Sequence, residues 1–160
     1  MDILKEISNI GIIPVIKIND ASKAVPLAKA LIDGGLAAAE VTFRTDAAEE
    51  AIRAITKAYP DMIVGAGTVL TTEQAQRALD AGAKFIVSPG FNPKVVKWCL
   101  EKGVTPLPGC TTPSEIEQAL ELGLKVGKFF PAEQSGGLAK IKAMSAPYGA
   151  VKVMPTGGVS

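Results

Sequence analysis

At 160 residues the chain is long enough for one compact domain, and with 48% hydrophobic and 21% charged residues it can fill a core, which argues against a disordered polymer. A net charge of +1, spread along the sequence, predicts neither a nucleic-acid nor a membrane partner. Histidine is absent, which removes Ser-His and Cys-His catalysis and His-ligated zinc, so acid–base chemistry falls to carboxylates, lysines, tyrosines or water.

In chain order, a short helix over residues 2–10 leads into a β-branched strand over 12–18. Asn19-Asp20 stops that strand and can cap a helix over 21–33, which Gly34-Gly35 ends. The unit then repeats. A strand over 38–43 precedes a helix capped by Asp46 and running to about Tyr59. A strand over 62–69 precedes a helix started by Thr71 and ending near Gly82. A strand over 85–88 precedes a helix capped by Asn92 and ending at Gly103. After a strand over 105–107, Thr112-Pro113 opens a helix with proline at its first position, and Gly123 closes it. A strand over 126–130, a helix over 137–144 and a strand over 151–155 complete the pattern.

Strands alternating with helices in units of roughly 20 to 25 residues imply a parallel sheet with helices outside it. The strands are apolar on both faces, as buried parallel strands are. A doubly wound sheet and a (β/α)8 TIM-type barrel both satisfy that rhythm. Tight helix-to-strand turns such as Ala81-Gly82-Ala83 and Lys102-Gly103-Val104, and chemistry placed just after several strands, favour the barrel. Complete barrels run to roughly 250 residues. The expectation is therefore a single domain over 1–160: an α/β barrel C-terminally truncated after strand seven, without the last helix-strand-helix and with strands one and seven as unpaired edges. The opening segment Asp2-Ile3-Leu4-Lys5-Glu6 does not read as a signal peptide, so none is expected, and no apolar run is long enough to span a bilayer. Cys99 and Cys110 lack metal-type spacing and suit a reducing cytoplasm.

Lys128 stands out in Val126-Gly127-Lys128-Phe129-Phe130-Pro131. By period two, Val126, Lys128 and Phe130 share one face of a buried strand. Desolvation would make a neutral amine available, able to attack a ketone and form an imine. The plainer reading is a buried stem whose head reaches solvent at the strand end. Glu40, Thr42 and Arg44 project together from another apolar strand. Glu40 and Arg44 make either a structural ion pair or a proton shuttle beside a bidentate carboxylate clamp. Gly65-Ala66-Gly67-Thr68 and Pro155-Thr156-Gly157-Gly158 expose backbone N–H groups to an anion, or are simply turns. Lys17, in Val15-Ile16-Lys17-Ile18, is a rival nucleophile or an anion contact, on the expectation of a buried strand. Cys110, with no histidine to activate it, reads as packing.

Five stretches, Glu40-Val41-Thr42-Phe43-Arg44-Thr45, Val64-Gly65-Ala66-Gly67-Thr68-Val69, Ser88-Pro89-Gly90, Lys128-Phe129-Phe130-Pro131-Ala132-Glu133 and Pro155-Thr156-Gly157-Gly158-Val159, occur in that order. Together they resemble the 2-keto-3-deoxy-6-phosphogluconate (KDPG) / 4-hydroxy-2-oxoglutarate (KHG) aldolase family. The resemblance implies a homotrimeric class I aldolase barrel, a lyase needing no metal or other cofactor. Its substrate would be a small-molecule keto-acid phosphate, cleaved to pyruvate and glyceraldehyde 3-phosphate; some members also cleave KHG to pyruvate and glyoxylate. By that likeness Lys128 forms the Schiff base and Glu40 shuttles protons. Arg44 and Thr68 hold the pyruvyl carboxylate, Pro89 and Phe130 shape the pocket wall, and Thr156, Gly157 and Gly158 approach the phosphate. Lys17 leaves substrate selectivity open. The competing expectation is an inactive open-barrel fragment serving as an assembly or binding module; a phosphate-binding barrel isomerase is a third, with no role for a strand lysine.

Overall fold

The computed structural model describes residues 2–158; Met1, Val159 and Ser160 lie outside the described residues. Helices and strands alternate along the chain. Helix α1 (Ile3–Ile10) begins at Asp2, whose carboxylate accepts the Lys5 N–H, and ends at Gly11 in a left-handed conformation. The remaining elements are β1 (Val15–Ile16), a 3-10 turn (Ala21–Lys23) that Asp20 caps and that leads into α2 (Ala24–Asp33), β2 (Ala38–Thr42), α3 (Ala48–Ala58), β3 (Ile63–Gly67), α4 (Thr72–Asp80), β4 (Phe85–Val87), α5 (Pro93–Glu101), β5 (Thr105–Leu107), α6 (Pro113–Glu121), β6 (Val126–Phe129), α7 (Gly137–Ser145) and β7 (Lys152–Pro155).

Strands β1 to β5 form one parallel sheet in sequential order, and β6 and β7 form a second parallel pair. A bridge from Gly109 to Lys128 joins the two. Sequential parallel order with a helix between neighbours is the winding of a barrel, and the expected (β/α) architecture is what the chain adopts. Among the described residues β1 pairs only with β2, and β7 only with β6.

Register fixes which side chains enter the interior. Val15, Glu40, Gly65, Phe85 and Thr105 lie in one row across β1 to β5. Residues of that parity, Ala38, Ile63, Phe85, Val87 and Leu107, build the interior core with Ile3, Leu4 and Ile7 of α1. Helix α1 thereby seals the end where the strands begin. The opposite parity, Ala39, Val41, Val64, Ala66 and Ile86, packs outward against Ala28, Ile52, Ile55 and Ala75 of the surrounding helices. A second outer cluster centred on Phe129 and Ile116 covers β6. Complete burial of Phe85 stabilises the interior by about 2–3 kcal/mol.

Three expectations need correction. The first strand is two residues long rather than 12–18: as an edge it has one neighbour, and Pro14 lacks an N–H, although its carbonyl accepts the Glu40 N–H. Lys17 lies past that strand and is exposed, not buried. Asp46 is not the cap of the third helix. Helix α3 starts two residues later, with Ala47 in the cap position and no side-chain cap.

Candidate active site

Glu40 sits in the middle of β2 and is 2% exposed; Lys128 sits in β6 and is 5% exposed. They are 88 positions apart in the chain, yet Lys128 Nζ donates to Glu40 Oε1 at 3.3 Å. Both face the interior, since Lys128 shares its parity with Val126 and Glu40 with Ala38, and Val126 and Ala38 pack in the interior core. The two expected catalytic groups are brought together.

Room for that carboxylate comes from β3. A Cβ added at Gly67 would fall on the Glu40 carboxyl group, and one at Gly65 would fall on the Phe85 ring. These glycines read in the sequence as backbone exposed to an anion. Their structural task is to leave the space that Glu40 and Phe85 fill. The signal for it lies in the register: a large inward residue on a neighbouring strand requires a small one opposite.

Burial raises the Glu40 carboxyl pKa above its ordinary value, while Lys128 and, more weakly, Arg44 pull it down. A proton leaving the Lys128 ammonium therefore has a nearby acceptor that burial makes more basic than an ordinary carboxylate. Phe130 lies on the same side as Lys128, with its ring centroid 5.3 Å from Nζ, and is 36% exposed. The side chain beyond the strand end thus covers the amine on one side.

The other expected residues are placed unevenly about this pair: Thr156, Gly157 and Gly158 line a cavity with Glu40, whereas Pro89 does not. Arg44 is exposed just past β2, and its Nε donates to Thr42 Oγ1 at 3.1 Å. Thr68 follows Gly67 with a left-handed φ of 55°, unusual for a β-branched residue, and is half-buried. Pro89 is half-buried beside Gly109, where an added Cβ would meet the Pro89 carbonyl; it lines a separate depression of about 320 Å³ with Ser88 and Gly90. Thr156, Gly157 and Gly158 share with Glu40 the wall of a larger cavity of about 1090 Å³, which continues down to α1. Gly157 and Gly158 have φ of 88° and 74°, and Gly157 packs against the Phe130 ring. Among the described residues, Lys17 makes no hydrogen bond or ion pair to any of these groups.

Two residues near the site are given no role by the sequence. Glu133 donates its N–H to the Gly157 carbonyl and lays its side chain against Gly158. Thr42 is 1% exposed, and its hydroxyl donates to the Ile16 carbonyl at 2.9 Å while accepting from Arg44. Cys110 is buried, and burial with Glu115 nearby pushes its thiol up to about 12. That is an unreactive thiol, consistent with packing against Gly127.

A buried amine, a carboxylate within hydrogen-bond reach and an exposed arginine nearby can form an imine with a keto acid and move protons at it. Comparison with known proteins agrees. The family model described as "KDPG and KHG aldolase" matches residues 3–160. A 2-dehydro-3-deoxy-phosphogluconate aldolase of Treponema pallidum is 54% identical over 157 residues, covering 98% of this chain and 75% of that protein. The crystal structure of the 2-keto-3-deoxy-6-phosphogluconate aldolase of Zymomonas mobilis ZM4 with 3-phosphoglycerate superposes with a TM-score of 0.94 at 41% identity, covering 99% of this chain and 76% of that one. A KDPG aldolase from Legionella pneumophila, with pyruvate captured as a covalent carbinolamine, gives a TM-score of 0.89 at 39% identity over 92% of this chain and 71% of that one.

Proposed function

The chain belongs to the KDPG and KHG aldolase family, and from that premise we infer that it is a lyase cleaving 2-keto-3-deoxy-6-phosphogluconate to pyruvate and glyceraldehyde 3-phosphate through a lysine Schiff base. Cleavage of 4-hydroxy-2-oxoglutarate to pyruvate and glyoxylate accords with the family name. The observation that carries the reading is the buried Lys128–Glu40 contact at 3.3 Å.

In this reading Lys128 Nζ gives a proton to Glu40 and attacks the C2 ketone. Glu40 returns the proton as the carbinolamine loses water, leaving a protonated imine. Glu40 then takes the C4 hydroxyl proton while the C3–C4 bond breaks, and its electrons rest as an enamine. Glyceraldehyde 3-phosphate leaves, C3 is protonated, and water frees pyruvate from Lys128. Arg44 and Thr68 hold the C1 carboxylate, and the exposed guanidinium of Arg44 suits that task. Phe130 walls the pocket beside Lys128; Pro89, which lines a neighbouring depression, is assigned to the wall on the family likeness alone. Thr156, Gly157 and Gly158 take the phosphate end, supported by their place on the cavity that Glu40 also lines. Lys17, exposed just past β1, is proposed to contact the polar tail of the substrate.

Incubation with pyruvate and borohydride tests this directly. The expected product is one reduced pyruvyl adduct, mapped to Lys128 and lost in Lys128→Met. An adduct mapped only to Lys17 would overturn the assignment.

A homotrimer is proposed on the family likeness, and light scattering giving three times the chain mass would support it. No helix among the described residues is long and apolar enough to cross a membrane. A cytoplasmic location is proposed because both cysteines are free and buried.

A further inference from the structure

We propose that Thr42 is a positioning residue for substrate recognition: its hydroxyl locks the Arg44 guanidinium so that the two terminal amino groups, and not Nε, face the substrate carboxylate. The proposal rests on the reading that Arg44 binds that carboxylate.

The Thr42 hydroxyl has one hydrogen, and it is committed. It donates to the Ile16 carbonyl at the end of β1 at 2.9 Å, which aims the oxygen lone pairs away from β1. The Arg44 Nε–H occupies one of them at 3.1 Å. A guanidinium is planar, so fixing Nε fixes the plane of all five donors. Arginine can bind a carboxylate through its two terminal nitrogens or through Nε and one of them. With Nε engaged inside the protein, only the first fork is open. Thr42 is 1% exposed, so water does not compete for its oxygen, whereas Arg44 itself is exposed and would otherwise sample many rotamers. Serine offers the same hydroxyl, whereas valine keeps the shape without it.

The measurement is steady-state cleavage of KDPG by Thr42→Val, Thr42→Ala, Thr42→Ser and Arg44→Gln, and by Thr42→Val combined with Arg44→Gln. Thr42→Val is expected to raise KM about ten-fold with kcat within about two-fold, as loss of one hydrogen bond to a charged group implies. Thr42→Ser should return KM to within about two-fold of the parent. Adding Thr42→Val to Arg44→Gln should raise KM no further, because the positioned group is already gone. Thr42→Ala repeats the test if valine prevents folding, and a thermal melt records any loss of the Ile16 tie separately. An unchanged KM in folded Thr42→Val or Thr42→Ala, or additive effects in the double variant, would overturn the proposal. If Arg44→Gln alone leaves KM unchanged, the carboxylate reading of Arg44 fails instead, and the Thr42 proposal fails with it.

Discussion

Glu40 carries two roles that pull in opposite directions: a charge placed where burial opposes it, and a partner for the amine at 3.3 Å. Its carboxyl pKa is raised in the fold above the ordinary 4.5. The contribution to stability is then full below about 4.5 and declines as pH rises through the folded value. Glu40→Gln should flatten that decline. Lys128→Met should steepen it, because the stronger of the two positive neighbours is lost and the carboxylate is left unpaired, at a cost of about 3 kcal/mol at neutral pH. Melting curves of the three proteins at pH values from below the ordinary carboxyl pKa of 4.5 to above neutrality would check this; parallel curves would remove the argument. Glu40→Gln should also lower kcat by about 10²-fold or more, since proton transfer at each step would lack its shuttle. Gly67→Ala is the more specific probe. It adds one methyl where the carboxylate lies, so kcat should fall at least ten-fold while the fold loses about 1–3 kcal/mol from overpacking. Normal turnover in that variant would show that the carboxylate has room to move.

The helices show which local signals decide structure and which do not. Thr71, Asn92 and Thr112 are legible as caps, and each accepts the expected backbone N–H, from Gln74, Lys94 and Glu115. Asp46 has the same chemistry and fails, because the preceding strand continues into a turn whose Thr45 hydroxyl donates back to the Ile18 carbonyl. A tertiary hydrogen bond outweighs a local preference there. Thr112 gains a return contact: the Glu115 carboxylate accepts from the Thr112 N–H at 2.9 Å, completing a capping box. Thr112→Ala should therefore lower stability by about 1 kcal/mol, read as a fall in the urea midpoint at constant slope. Because α6 starts directly after the Gly109–Cys110 segment that meets β6, the same variant should loosen that junction more than the β2–β3 pairing.

For the whole molecule, the strand–helix rhythm is enough to read a parallel sheet with helices outside, the tight helix-to-strand turns and the chemistry at strand ends favour the barrel over the doubly wound sheet, and period two tells which residues share a face with Lys128 and with Glu40. Contact between those two is not legible, since it depends on the stagger between strands 88 positions apart. The shortness of the first strand is hidden for a related reason: Ile12, Ile13 and Val15 have the composition of a strand, but pairing needs a neighbour, and β1 pairs with β2 across Val15–Ile16 alone. Gly65 and Gly67 mislead because a glycine's reason often lies on the next strand and not in its own segment. The bridge between Gly109 and Lys128 adds one more consequence. Lys128 donates its N–H to the Pro108 carbonyl, and Cys110 donates its N–H to the Lys128 carbonyl, at 2.8 and 2.7 Å. The backbone seam between the five-stranded and two-stranded sheets therefore runs through the peptide units of Lys128, the proposed nucleophile. Breathing of the barrel at that seam and misplacement of the amine are one event, so deuterium uptake at the Lys128 and Cys110 amides should slow once pyruvate is reductively fixed there, making two exchangeable protons a gauge of how firmly the reactive nitrogen is held.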